Sequence, residues 1–393
     1  MEIPVTTERP GSGQPAGDIS PGSTQRIQVL DALRGLCLVI MTLDHGPQFA
    51  WVRYTTEAFG YLSALSGFIF ISGFVTGMVY GSTQTTQGLG AVKKRAFGRA
   101  WQIYLAHGLI WTVLLTLALC LPKLEPPRQH LANIFAQPLA SWLLGVLFLY
   151  QPRFLDILPM YCLLFVVLPY ALHLVHRGRG RLVLLVALAV WTAGQWPLRY
   201  PVELWGRVNL GEFNVLGWQL VFVTGLVLGY KRRTVGKVPI PNSALLFWVS
   251  VIVCLPLFVL RHEHVLFGHT QRVLEFTAFW VSRANCGPLR MLNFAAFAYG
   301  TYWILLRAGK MIEHWRLFKW LARLGQHSLQ VFSWSILACV ILEVFERQWQ
   351  TLGAATGTWL TACVLLSLWV PVRLHELYRS QIAGAAGKSR RAG

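Results

Sequence analysis

Apolar residues in this chain gather into blocks as long as a bilayer is thick. A helix needs about 20 predominantly apolar residues to cross about 30 Å of hydrocarbon. Ten such blocks can be traced, at about 29–51, 60–81, 100–121, 154–175, 182–198, 213–230, 243–260, 288–306, 326–345 and 352–374. The expectation is an all-α, polytopic membrane protein of about ten transmembrane helices. A further apolar stretch, 131–150, is interrupted by Pro138 and reads as interfacial or re-entrant.

Composition agrees with that class. Hydrophobic residues make up 54% of the 393, and charged residues only 13%. Soluble domains carry about 25% charged residues. The mean hydropathy is +0.48. The net charge of +19 does not point to nucleic acid, because no polar domain carries a basic, aromatic-interleaved surface. Lys and Arg instead flank the apolar blocks, as the positive-inside rule requires. With both termini cytoplasmic, the inner segments hold 23 of the 35 basic residues and the outer segments 11, with Arg34 inside the first block. The seven cysteines are scattered singly, without the spacing of a disulfide framework or a zinc site. No metal is expected. Residues 1–25, rich in Pro, Gly, Ser and Thr, read as a disordered cytoplasmic tail. Residues 377–393 read as a second, basic one, which leaves 26–376 as one membrane domain.

Ionisable groups inside a membrane helix are costly and mark function by default. The first block holds Asp31, Arg34, Asp44 and His45. On a helix, Arg34 and His45 project within roughly 20° of one another and lie about 16 Å apart along the axis. Asp31 sits three residues before Arg34, where the two can pair. The bland alternative makes Asp31 and Arg34 snorkelling groups and His45 an interfacial histidine.

Other blocks carry weaker signals. Ser66 and Ser72 lie in two SGF units whose small residues also suit close helix packing. Arg95 and Arg99 stand at the predicted cytoplasmic face, as membrane anchors or as ligands for phosphate. His107 lies deeper in the same block. Asp156, Asn214, Trp218 and Gln219 gather at the predicted outer face, where they suit sugar recognition or an ordinary aromatic belt.

In order along the chain stand RIQVLDALRG with its DH, FIFISGFVTGMVYG, RAWQIYLAHG, LDILPMY, FNVLGWQLVFVTG, LGQHSLQVFSWS and LSLWVPVRLHELYR. Arg34 and His45, with ten residues between them, resemble the signature of the acyltransferase type 3 superfamily. The full set resembles the OpgC family, glucans biosynthesis protein C, from about residue 26 to 379. The resemblance implies an inner-membrane O-acyltransferase that places succinyl groups on osmoregulated periplasmic glucans. The donor implied is a cytoplasmic acyl-CoA such as succinyl-CoA, with no permanently bound cofactor. The partners are then membrane lipids, the acyl donor and the glucan acceptor, and a homo-oligomer stays open.

In that chemistry His45 would be the base, with Asp44 setting its tautomer and Arg34 holding a donor phosphate or fixing Asp31. An acyl-enzyme on Ser66 or Ser72 is the lesser route, since neither has an evident adjacent base. Two other functions stay open. One is an acyltransferase acting on another envelope polysaccharide or a small metabolite. The other is a transporter of a solute or glycolipid, which discontinuous helices would favour.

Overall fold

The computed structural model describes residues 28–45, 57–196, 208–262, 278–353 and 355–389. The expected N-terminal tail, 1–25, lies outside them. The described chain is helical: α1 Gln28–His45, α2 Ala64–Cys120, α3 Gln129–Ala136, α4 Pro138–Val146, α5 Ile157–His176, α6 Gly180–Ala193 and α7 Val215–Val235. Then follow α8 Ala244–Arg261, α9 Pro288–Ile312, α10 Arg316–Gln326, α11 Ser328–Val344, α12 Glu346–Gln350, α13 Thr356–Ser367 and α14 Trp369–Ser389. No strand forms among the described residues, where β-pairing is confined to an isolated bridge between Tyr150 and Asn209.

The stretch α2 is a hairpin of two helical arms. It reverses at Gly88, whose φ of 78° lies in the left-handed region that a side chain disfavours. The Arg95 guanidinium donates to Thr83 Oγ1 at 3.0 Å, whereas twelve residues of continuous helix would hold the two about 18 Å apart. The second and third expected spans are therefore the two arms.

Four stretches, Ala64–Cys120, Ile157–His176, Ala244–Arg261 and Thr356–Gln381, are long and apolar enough to cross a membrane. A fifth joins them if α10 and α11, bent by 88° at their junction, count as one broken span. Ten spans are thus not established. The reason is chemical as much as geometric. Helix α6 is apolar but 14 residues long, α1 carries Asp31, Arg34 and Asp44, and α7 runs into Lys231, Arg232 and Arg233. The stretch 131–150 breaks at Pro138 into α3 and α4, of 8 and 9 residues, each too short to cross alone. At the far end α14 extends to Ser389, into the stretch expected as a basic tail from 377.

Two close helix contacts set the frame. The first arm of α2 meets α7 through Gly73 and Gly77 on one side and Gly225 and Gly229 on the other. A Cβ at any of the four would run into a backbone carbonyl of the facing helix. Helices α1 and α10 repeat the device, with Gly35 against Leu321 O and Gly325 against Asp31 O. Small residues let membrane helices approach until backbones touch, and dispersion then holds them. The core between these pairs is filled by Leu38, Ile69, Trp111, Leu158, Trp218 and Phe222, all essentially inaccessible.

Candidate functional site

The polar residues of α1 separate into two neighbourhoods, one around Arg34 and one around His45.

Around Arg34 the bundle holds a cavity of about 160 Å³, bounded by α1, both arms of α2, α5 and α11. Its polar lining is Arg34, Ser72, Thr76, Tyr80, Arg99, Tyr161 and Ser328. Arg34 Nη2 donates to Ser328 Oγ at 2.5 Å. The Arg34 guanidinium also sits 5.7 Å from the centroid of the Phe68 ring, which is itself stacked on Phe332 at 5.7 Å. A cation over an aromatic face is held electrostatically, so the guanidinium is aimed by a hydroxyl and a ring together. Asp31 is buried one turn earlier on the same helix. Near the Gly88 reversal the lining becomes cationic. Arg99 is half-buried in the wall, and Arg95 lies 5.2 Å over the Tyr80 ring while bonding Thr83. Arg233 of α7 donates to Ser82 Oγ at the same end.

His45 does not line this cavity. It ends α1, half-buried, with its ring 4.3 Å from that of Phe154 and Asp44 beside it. Arg153, 5.2 Å over the same Phe154 ring, and Arg283 lie within electrostatic reach of the imidazole. Residues 46–56, which continue from His45, lie outside the described residues.

Asp156 stands near by, just before α5. Its Oδ2 accepts the backbone N–H of Glu212 at 2.7 Å and of Phe213 at 3.0 Å, while Oδ1 is buried without a hydrogen bond. Burial pushes its carboxyl up to about 6, against the pull of the two N–H groups. Farther along, Glu57 binds Arg290 at 2.6 Å and Arg261 at 2.9 Å. Burial alone would raise Glu57, but the two guanidinium groups outweigh it and hold the carboxyl below the usual range.

The remaining candidates are engaged in packing. His107 is inaccessible, with Nε2 3.1 Å from Gly145 O and its ring against Phe148. Trp218, also inaccessible, donates to the carbonyls of Arg283 and Ala284. Gln219 donates to Ala187 O, tying α7 to α6. Asn214 caps α7 by accepting from Leu216 N and donates to Gly194 O and Asn285 Oδ1. Trp218 and Asn214 thus clamp the 283–285 segment. Ser66 bonds only with Ser63, at 3.1 Å, whereas Ser72 faces the cavity.

Four polar lining groups were absent from the sequence candidates: Thr76, Tyr80, Tyr161 and Ser328. All four lie inside quoted motifs, FIFISGFVTGMVYG, LDILPMY and LGQHSLQVFSWS. Hydroxyls carry no desolvation alarm in an apolar block, so their type alone did not single them out.

The family model described as OpgC protein matches residues 26–380. The chain belongs to the OpgC family. No curated protein and no solved structure matches it. Membership makes this a membrane protein of a glucan-related acyltransferase family. In OpgC terms the matched region takes in Arg34 and His45, the cavity and the arginines at its mouth.

Proposed function

We propose that this OpgC protein moves a succinyl group from a cytoplasmic acyl-CoA donor to hydroxyls of periplasmic glucan across the inner membrane, with both termini cytoplasmic. The observation that carries the reading is the cavity inside the bundle, with Arg34 and Arg99 in its wall and Arg95 behind the lining Tyr80 ring. Guanidinium groups suit phosphate because they offer several donors at fixed geometry. Arg95 and Arg99 receive the donor's phosphates, and Arg34 holds the donor farther in, with Asp31 as its neighbour on α1.

At the other end His45 takes the proton from a glucan hydroxyl. The oxygen attacks the thioester carbonyl, the carbon–sulfur bond breaks, and the departing thiolate recovers the proton from the imidazolium. Asp44 sets the imidazole tautomer, and Arg153 and Arg283 face the developing oxyanion. Asp156 belongs to the acceptor side. Transfer through an acyl-Ser72 is the lesser route, and Ser66 is too enclosed to take part.

The test is mass spectrometry of periplasmic glucans from cells carrying wild-type or His45→Ala protein. Acylated glucan that depends on the chain and vanishes in the variant supports the reading. Acylation that persists removes His45 as the base. The 88° break between α10 and α11 is a feature transporters share. Release of free CoA by the purified protein separates the two, since a transporter consumes no thioester.

A further inference from the structure

Two histidines outside the site meet at the helix break. His327 joins α10 to α11 and is almost fully buried. Its Nδ1 lies 2.8 Å from Nδ1 of His375 on α14, with the rings edge-to-face at 5.0 Å. Such a contact needs one proton: one ring donates Nδ1–H and the other accepts on a bare nitrogen. Ser328, the next residue, accepts from Arg34 in the cavity wall. The opposite side of α10 is pressed against α1 at Gly325 and Gly35.

We infer that the His327–His375 pair is a positioning clamp for Arg34: it fixes the break between α10 and α11, and with it the Ser328 hydroxyl that aims the guanidinium into the cavity. The clamp closes while one imidazole is neutral, and a second proton puts two N–H groups nose to nose. Charged neighbours frame this titration. On α14 they are Arg373, Glu376 and Arg379, with Glu376 3.9 Å from His327 Nε2. Arg323 is on α10, and Asp31 and Arg34 on α1. This inference rests on the reading that Arg34 holds the donor.

The experiment compares wild type, His375→Phe, His375→Gln and His327→Gln in nanodiscs with succinyl-CoA and purified glucan. His375→Phe should raise the KM for succinyl-CoA about tenfold while the KM for glucan stays within twofold. His375→Gln, which offers both a donor and an acceptor, should restore the donor KM. In wild type the donor KM should climb as pH falls from 8 to 5.5, and both Gln variants should flatten that climb. A donor KM unmoved in His375→Phe, equal losses toward both substrates, failed rescue by Gln, or an acid climb surviving in both Gln variants would each overturn the clamp. A donor-independent arm keeps the test separate from the proposed reaction. A double-mutant cycle of His327→Phe and His375→Phe, read by thermal unfolding at pH 8 and 5.5, should show coupling at pH 8 that fades at 5.5. Should wild type consume no succinyl-CoA, that cycle still decides the contact: pH-independent or absent coupling rejects it.

Discussion

The two ends of α1 differ in what surrounds their charge. Arg34 is half-buried in the bundle, with a hydroxyl, an aromatic face and a cavity around it. His45 is the last residue of α1, against Phe154 and under the influence of Arg153 and Arg283. A guanidinium so held has few ways to rearrange, which suits holding a ligand. An imidazole at a helix end can meet groups from either side of an interface, which suits moving a proton. On the proposed function, one helix would carry a gripping end and a reacting end, about 16 Å apart.

The sharpest way to break that contrast is His45→Ala. Loss of a general base removes about 10²- to 10⁴-fold in rate, so acyl transfer measured by glucan mass spectrometry should fall by that order with the KM for donor little changed. A donor KM that moves as much as kcat would erase the division between the ends. Arg34→Ala should instead act on the donor. Loss of a charged hydrogen bond costs about 1.5–3 kcal/mol, which is roughly a tenfold or larger rise in donor KM by steady-state kinetics, and Arg34→Lys should recover only part of it.

Asp156 probes the His45 end through stability. The fold holds its carboxyl at about 6, above the ordinary 3.8, so folding favours the protonated form. That contribution is whole below the unfolded value and is lost as pH rises through about 6. Asp156→Asn, neutral throughout and still able to accept the Glu212 and Phe213 N–H bonds, should resist thermal unfolding better than wild type at pH 8. The gain should be at most on the order of 3 kcal/mol, shrinking toward zero near pH 4. Gly35→Ala tests the Arg34 end in the same currency. Its methyl would meet Leu321 O, and overpacking costs about 1–3 kcal/mol, read as a lower unfolding midpoint. The smallest effect is expected at the mouth, where Arg99→Ala should raise donor KM about two- to fivefold, an effect that salt screens.

Much of this architecture could be read from residue order. Apolar blocks announced the helices, Pro138 announced the break between α3 and α4, and the SGF units announced close helix packing but not that the partner of Gly73 and Gly77 is α7. Gly88 was not legible as a reversal point, because a glycine among threonines, glutamines and glycines also fits a loose loop. The span count stays open where polar residues interrupt the blocks. Asp31, Arg34 and Asp44 make α1 too polar to pass as a lipid-facing helix, and Asp31 is buried where α1 meets α10. At the site, ionisable groups were conspicuous and neutral ones were not. Arg34 stood out at once, while Ser328, about 290 positions away, became visible only when folding brought it to the guanidinium. Residue type alone did not show the bonds that Trp218 and Asn214 make to the 283–285 segment or that Gln219 makes to α6, because polar and aromatic types look the same in a rim and in a packed contact.

The paired glycines have a mechanical consequence. Where backbones touch, neither helix can slide or roll without one carbonyl riding over another, so the first arm of α2 and α7, like α1 and α10, behave as welded rails. The cavity walls on α1 and the first arm of α2 are held in this way. Its room changes by side-chain rotation at Tyr80, Tyr161 or Phe68, and a swap of any one of those rings would alter what the cavity accepts more readily than any loosening of the helices themselves.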